Sequence, residues 1–459
     1  MNLGARWDPW FPFIDEADKF AQLWPGQQST KFPTAPAGVL FPGDNGLSRS
    51  MLERAWGNIG PRFGFAYDPE GNGKTSIRGG YGLFYSQVRQ QANNQISTNQ
   101  PFSLKLTVNN PVGGINNPYQ GIGNPFPFKA PANAQEAQNY KWVLPLTLTQ
   151  WNPNMRNAVV QQWNFNVQRE FFTSWIGTLA YVGSKGNHLF MTAEMNPGVY
   201  GRPGNLNQRR VYAPNFAQVT DQSSRGNSNY HALQASVNKR LTHGLTILAN
   251  YTWSKLIDDA SGDGDQPNNP FNFHQNRGTS NFDIPHRFVV SFIWQLPTLK
   301  NSSAPVRHIL GGWETNGIVS LQSGRGLNIT SGRDNSQSGT NQDRADVVGA
   351  WYLSPDRSRD DVIAQWFNPA AFAQNAAGTF GTAGRNIVRS PGDATIDFGA
   401  VKLISITESW KLQFRAEFFN LPNRVNLGNP NTIASSAQFG RITAAGAPRV
   451  IQMALKLSF

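Results

Sequence analysis

Residues 410–419 read Trp-Lys-Leu-Gln-Phe-Arg-Ala-Glu-Phe-Phe, and the alternation in this stretch decides the fold. Trp410, Leu412, Phe414, Ala416 and Phe418 occupy every second position, against Lys411, Gln413, Arg415, Glu417 and Phe419. A period of two places the first set on one face of an extended strand and the second set on the other. One face is therefore apolar and the other mostly charged. Residues 451–459 repeat the pattern, with Ile451, Met453, Leu455, Leu457 and Phe459 against Gln452, Ala454, Lys456 and Ser458.

Moving outward, the same alternation predicts strands over Ile396 to Ile404, Trp313 to Gln322, His286 to Leu296, Leu245 to Trp253 and His231 to Lys239. Upstream it predicts Trp175 to Gly183, Val159 to Arg169, Thr75 to Tyr85, Ile59 to Asp68 and the short opening segment Leu3 to Trp7, about twelve strands in all. Helix-rich architectures do not suit a chain of 459 residues with 44 Gly and 30 Pro, since both residues break helices and fill turns.

Connector length sorts by side. Tight turns are predicted near Pro69 to Gly73, Phe171 to Ser174, Arg240 to Gly244 and Ser405 to Ser409, with a longer one at Pro297 to Gly311. Long connectors run over Pro9 to Gly57, Gln90 to Asn157, Ser184 to Asn229, Asp258 to Asp283, Ser323 to Gly392 and Leu421 to Pro448. They are rich in Asn, Gln, Gly, Ser and Pro and read as loops of polar surface. Strict alternation of short and long connectors is the layout of an up-and-down meander. An outer-membrane barrel sorts its connectors in this way, with short periplasmic turns and long extracellular loops, whereas a soluble sandwich has no reason to.

The composition agrees with lipid outside the wall. Only the outward residues of a barrel strand need be apolar, because every backbone polar group pairs between strands. A hydrophobic content of 39% is then sufficient. Trp7, Tyr67, Tyr81, Tyr85, Trp163, Trp175, Tyr181, Tyr251, Trp253, Trp294, Trp313 and Trp410 lie near strand ends, as interfacial girdles require. With no Cys, disulfides, thiolate metal sites and cysteine nucleophiles are excluded. The net charge of +12 comes from 40 scattered Lys and Arg without a basic block, so nucleic acid is not expected as a partner. No run of roughly 18 apolar residues marks a transmembrane helix, and the start shows no basic region followed by an apolar one.

Gly60-Pro-Arg-Phe-Gly-Phe-Ala-Tyr-Asp68 and Gly73-Lys-Thr-Ser-Ile-Arg-Gly-Gly-Tyr-Gly-Leu-Phe-Tyr85 resemble the barrel of TonB-dependent outer-membrane receptors of the Oar-like group. Gln162-Trp-Asn-Phe-Asn-Val-Gln168, Ala180-Tyr-Val-Gly-Ser-Lys-Gly186, Tyr230-His-Ala-Leu-Gln234, Asn250-Tyr-Thr-Trp-Ser-Lys255 and Phe414-Arg-Ala-Glu-Phe-Phe-Asn420 extend the likeness over nearly the whole chain. The resemblance implies a bacterial outer-membrane location and a barrel of 22 strands around an N-terminal plug. It also implies uptake of a scarce small-molecule solute with energy relayed by TonB. The chain has room for about twelve strands, and no plug, coupling segment or signal peptide is read in it. The expectation is that residues 1–459 are the C-terminal part of such a barrel, an all-β antiparallel transmembrane wall. Outer-membrane lipid would be its partner, with plug and TonB only through an upstream region. Leu455, Leu457 and Phe459 resemble the terminal signal by which barrel-assembly machinery recognises its clients.

Other motifs are weaker. Pro69-Glu-Gly-Asn-Gly-Lys-Thr75 resembles a phosphate loop, but Asp68 stands where that motif needs Gly, and a strand follows. A tight turn is expected there. Asp258, Asp259, Asp263 and Asp265 form the one weak Ca²⁺ candidate, without EF-hand spacing, and a solvated acidic loop is the preferred expectation. The six histidines are dispersed, and His231 or His286 could serve an esterase only with a nucleophile elbow that is absent. No catalytic residues, cofactor or other metal site is expected. Gln413, Arg415 and Glu417, with Asn164, Asn166, Gln168, Asn316, Ser320 and Gln322, are expected on the lumen side. The alternatives to a receptor are a structural or adhesive surface protein and a self-closed pore of about twelve strands.

Overall fold

A computed structural model describes residues 1–88, 95–106, 108, 111–121, 123–132, 134–341 and 343–459. Twelve strands follow one another in chain order along one hydrogen-bonded path. They are β1 (Asn2–Trp7), β2 (Ile59–Tyr67), β3 (Thr75–Ser86), β4 (Ala158–Phe172), β5 (Trp175–Glu194), β6 (Phe216–Thr242), β7 (Leu245–Asp258), β8 (His286–Gln295), β9 (Trp313–Gln322), β10 (Asp393–Ser405), β11 (Lys411–Phe419) and β12 (Val450–Ser458). Every neighbouring pair on this path is antiparallel. The predicted meander is therefore the observed one. No helix among the described residues is long and apolar enough to cross a membrane.

The short turns are built by their own residues. At 68–74 the Asp68 carboxylate accepts hydrogen bonds from the backbone of Glu70, Gly71 and Gly73, and both glycines have positive φ. The segment resembling a phosphate loop is thus a closed turn. Between β6 and β7, His243 and Gly244 both have positive φ, as the tightest hairpin turns require. The longer connection after β8 carries a short helix, Ala304–Leu310.

Residues directly opposite in a ladder share a face, so the register sorts the whole wall. One row runs Leu3, Phe63, Tyr81, Trp163, and next to it Phe165, Tyr181, Leu233, Trp253. On the same face follow Tyr251, Phe288, Leu321, then Phe398, Phe418, Ile451. This face is apolar from β1 to β12. It is not buried: Leu455 is 70% exposed and Met453 68%, and every residue of β12 is exposed. No second layer covers it among the described residues. The side chains that would form the core of a soluble protein point outward, which is the arrangement of a lipid-facing wall. β7 and β8 pair over nine positions from Leu245 to Trp253, matching the roughly 9–11 residues a tilted strand needs to cross hydrocarbon.

Aromatic rings on this face lie over glycines of the next strand. Phe65 covers Gly79, Trp163 covers Gly183 and Phe292 covers Gly317, each pair directly opposed in register. Near the short turns two lysines share the apolar face, neither with a charged partner among the described residues. Lys239 Nζ donates to the carbonyls of Thr242 and Leu245 and sits 6.0 Å from the Trp175 ring. Lys402 Nζ donates to the carbonyls of Ile309 and Gly311 and sits 5.3 Å from the Trp313 ring. Both stems lie along apolar surface while the ammonium reaches the turn, the behaviour of lysine at a membrane boundary.

β1 and β12 are the two edges of the sheet and do not pair with each other in this structure, so the wall is open.

The long connectors depart from the expected loops of polar surface. Ser184 to Asn229 is not a loop throughout: β5 continues to Glu194 and β6 begins at Phe216, so both strands rise well past the apolar band. A further strand, Leu146–Trp151, pairs in parallel with the start of β6. The dry cores of the molecule also lie here. One cluster includes Leu23, Phe32, Val39, Phe41, Leu146, Leu148, Phe216 and Val219; a second Trp10, Phe20, Ile96 and Trp151; a third Ile329, Phe367, Phe372 and Val388. The connectors fold into a packed cap on one end of the wall.

Candidate functional site

The face opposite the apolar one carries amide and charged side chains interspersed with small and aliphatic ones. Gln413 stands opposite Leu403 and Lys456, Arg415 opposite Val401 and Ala454, and Glu417 opposite Gly399 and Gln452. Arg415 Nη1 lies 3.6 Å from Glu417 Oε1. By register the same face carries Asn164, Asn166, Gln168, Asn316, Ser320 and Gln322, together with Arg62, Arg78 and Asp397.

Above this face stands the cap, and buried charges weld its connectors together. Arg385 reaches back to Asp258, pairing with its carboxylate and accepted by its carbonyl, and its other nitrogen donates to Ser261 Oγ at 2.7 Å and lies 3.5 Å from Asp265 Oδ2. Arg277 Nη1 is 3.1 Å from Asp259 Oδ1. Asp263 contributes its carbonyl to the Thr192 hydroxyl at 2.8 Å. Three of the four aspartates of the Ca²⁺ candidate are counter-ions to arginine. Among the described residues no group of three or more His, Cys, Asp or Glu is placed to hold a metal ion. The expectation of a solvated acidic loop is corrected as well, because Asp258 is buried.

Two further carboxylates are held inside the cap. Burial pushes Glu194 up, against the pull of Arg210 at 3.1 Å and of backbone hydrogen bonds from Val219 and Asn196. Burial also raises Asp221, opposed by hydrogen bonds from Asn152 and Gln150. Arg344, buried beside Arg385, is pushed down to about 10. Asp44 shows the reverse balance: burial raises it, but hydrogen bonds from Ser29, the Phe41 backbone, Thr30 and the Lys31 backbone outweigh that and hold it low.

Between cap and wall opens a cleft of about 670 Å³, a size that suits a small molecule. Ala158 and Val160 at the start of β4 form its floor, on the polar side of the wall. Met155, Leu189 and Phe190 give apolar walls, while Arg156, His188, Gln95 and Gln266 supply polar groups. His188 sits in a bulge of β5, where the register with β6 shifts between Gly186 and Leu189 and its φ is positive. Gln95 Oε1 accepts a hydrogen bond from Gln222 Nε2 at 2.6 Å. The alternation that reveals the wall reaches only the floor of this cleft at Val160; Gln95, Arg156, His188 and Gln266 come from stretches without periodicity.

The remaining sequence candidates are placed as follows. Leu455 and Leu457 project from β12 on the apolar face, opposite Phe414 and Leu412, and Phe459 packs 5.2 Å from Trp410. His231 and His286 lie on the apolar face near the cap, where Tyr181 and Tyr251 hydroxyls meet their Nδ1 atoms at 2.7 and 2.9 Å.

The chain matches the outer membrane beta barrel domain family over residues 1–452. No curated protein matches it. Among solved structures it is similar to the outer membrane transporter YddB from Escherichia coli, with 13% identity and a TM-score of 0.49 over 91% of this chain and 42% of that one. It is similar to the ferric-catecholate import receptor Fiu from E. coli K12, with 10% identity and a TM-score of 0.39 over 94% and 39%. The ferric preacinetobactin receptor BauA from Acinetobacter baumannii gives 11% identity and a TM-score of 0.39 over 93% and 38%. The chain spans less than half the length of these structures.

Proposed function

The chain belongs to the outer membrane beta barrel domain family and lies in the bacterial outer membrane, and from that premise we propose that it forms wall and outer cap of a TonB-dependent receptor that takes up a small solute. The observation that carries this reading is the cleft itself. It joins a cap stiffened by Arg385, Arg344 and Glu194 to the polar side of the wall at Val160. A rigid scaffold that presents loop residues at the mouth of a polar passage is suited to capture, with Arg156, Gln95 and Gln266 orienting the solute and Phe190 packing against it. Gln413, Arg415 and Glu417 would line the passage. Plug and TonB would act through sequence upstream of this barrel part, and Leu455, Leu457 and Phe459 would present β12 to the assembly machinery.

The test is solute depletion. Cells carrying the full reading frame are grown on a mixed pool of scarce solutes, with and without TonB, and the medium is profiled. The reading expects one solute to be consumed only when TonB is intact, and Arg156→Ala with Phe190→Ala to raise the concentration for half-maximal uptake about tenfold or more, the scale of two lost contacts. Identical depletion with and without TonB would contradict it and favour a structural or adhesive role.

A further inference from the structure

The strand Leu146–Trp151, beside the start of β6, has two different faces. Leu146 and Leu148 enter a dry cluster of the cap, while Thr147 and Thr149 alternate with them on the other side. That side opens on a second cavity of about 220 Å³, lined by these two threonines, by Thr220 directly opposite Thr149, and by Ser103 and Lys105 among others. Every described lining residue bears a hydroxyl, an amide or an ammonium group. Gln95 and Thr220 also line the cleft under the cap, so the two spaces share a wall. The hydroxyls of Thr147, Thr149 and Thr220 make no hydrogen bond among the described residues, although all three side chains are half-buried. Arg156 in the cleft and Lys105 in the cavity are exposed cations, with no ion pair and no side-chain hydrogen bond among the described residues. Asp263, the one acid among the described lining residues of either space, is itself engaged.

We propose that the cleft and the cavity beside it take one ligand, a sugar acid, that is, a small saccharide bearing a carboxylate. This rests on the reading of the cleft as the site of solute capture. Each part of the lining selects a part of that ligand. Arg156 and Lys105 call for an anion, and a guanidinium meets a carboxylate through two parallel hydrogen bonds. A row of threonine hydroxyls, each both donor and acceptor, calls for a ligand that is itself rich in hydroxyls. A ligand without matching hydroxyls would strip water from the threonines and leave them unpaired, so the lining rejects a plain aliphatic or aromatic acid. Phe190 and Met155 supply apolar surface for the C–H face of a sugar ring. An inorganic anion would leave the threonines unused, and a neutral sugar would leave both cations unused.

The test is isothermal titration calorimetry of the full chain in neutral detergent with digalacturonate, its dimethyl ester and benzoate. The ester keeps every ring hydroxyl and loses the charge, whereas benzoate keeps the charge and loses the hydroxyls. Digalacturonate should bind about tenfold or more tightly than either. Arg156→Gln with Lys105→Gln should weaken the acid about tenfold or more and bring it to the affinity of the ester. Thr149→Val with Thr220→Val should weaken acid and ester alike, by about tenfold for two lost hydrogen bonds, and leave the ratio between them unchanged. Heat-modifiable mobility establishes that each variant is folded; where a pair is not, Arg156→Gln or Thr149→Val alone should act in the same direction by about threefold. Equal binding of acid and ester, benzoate binding as tightly as digalacturonate, no binding of digalacturonate, or unchanged binding by the folded variants would overturn the proposal. The measurement reads binding and not uptake. TonB-dependent depletion of another solute, with no binding of digalacturonate, would therefore overturn the proposal and leave the transport reading standing, and binding without TonB-dependent depletion would do the reverse.

Discussion

Gly183→Ala isolates the contact between neighbouring strands on the lipid side. A Cβ at that position would sit 2.5 Å from Trp163 Cζ2 and closer still to Cε2 and Nε1. The backbone cannot yield, because Gly183 is paired on one side to Trp163 and on the other to His231. The indole must lift off the sheet. At roughly 0.1–0.2 kcal/mol for each pair of heavy atoms, losing about ten such pairs removes ~1–2 kcal/mol of dispersion. No hydrophobic penalty is added, since acyl chains are as apolar as the surface uncovered. An off-rotamer ring brings the total to about 1–3 kcal/mol. The assay is urea unfolding of the chain from phosphatidylcholine vesicles, run as a double-mutant cycle with Trp163→Ala. With the indole removed, Gly183→Ala should cost less than about 0.5 kcal/mol. An equal cost with and without Trp163 would refute the assigned register and the packing argument together.

Three further outcomes are expected. Arg385→Ala leaves Asp258 buried without its partner and should cost about 3–5 kcal/mol locally, seen as rapid proteolysis within 323–392 while the wall stays folded. Asp44 is held below its ordinary value of 3.8 by hydrogen bonds to the charged form, so its contribution is present above that pH and is lost as the pH falls through the lowered value. Glu194, raised by burial, acts with the opposite sign and loses its contribution as the pH rises through the raised value; protease sensitivity of the two regions measured against pH should therefore move in opposite directions. Lys402→Met removes the donor to the carbonyls of Ile309 and Gly311 and should destabilise by about 1–3 kcal/mol in a urea titration, less if water reaches the turn.

The wall was legible because its physics is local. Residues 410–418 alternate since each strand must show one face to lipid and one to water, and twelve such segments survive inspection one at a time. Gln413, Arg415 and Glu417 share one face of β11 by parity alone. What lay beyond reach is non-local. The start of β6, residues 216–229, is polar apart from Phe216, Ala217 and Val219, and Phe216 and Val219 enter the dry cluster beside Leu146–Trp151 at a spacing of three, so no alternation marks it. His188 and its bulge erase the period in the same way at the end of β5. Phe41 joins Leu146 and Phe216 in one dry cluster across much of the chain, and Asp258 meets an arginine 127 residues away. An acidic loop and a buried ion pair look the same until that arginine is placed.

The apolar face meets lipid and the polar face meets water. The chain has no cysteine, so single cysteines can be placed along β8 from Phe288 to Ile293 without background. The chain is then inserted in vesicles and treated with a water-soluble maleimide. Positions 289, 291 and 293 should label, while 288, 290 and 292 should resist labelling and be quenched by brominated lipid when carrying a fluorophore. The opposite phase, or labelling without a period of two, would contradict the account.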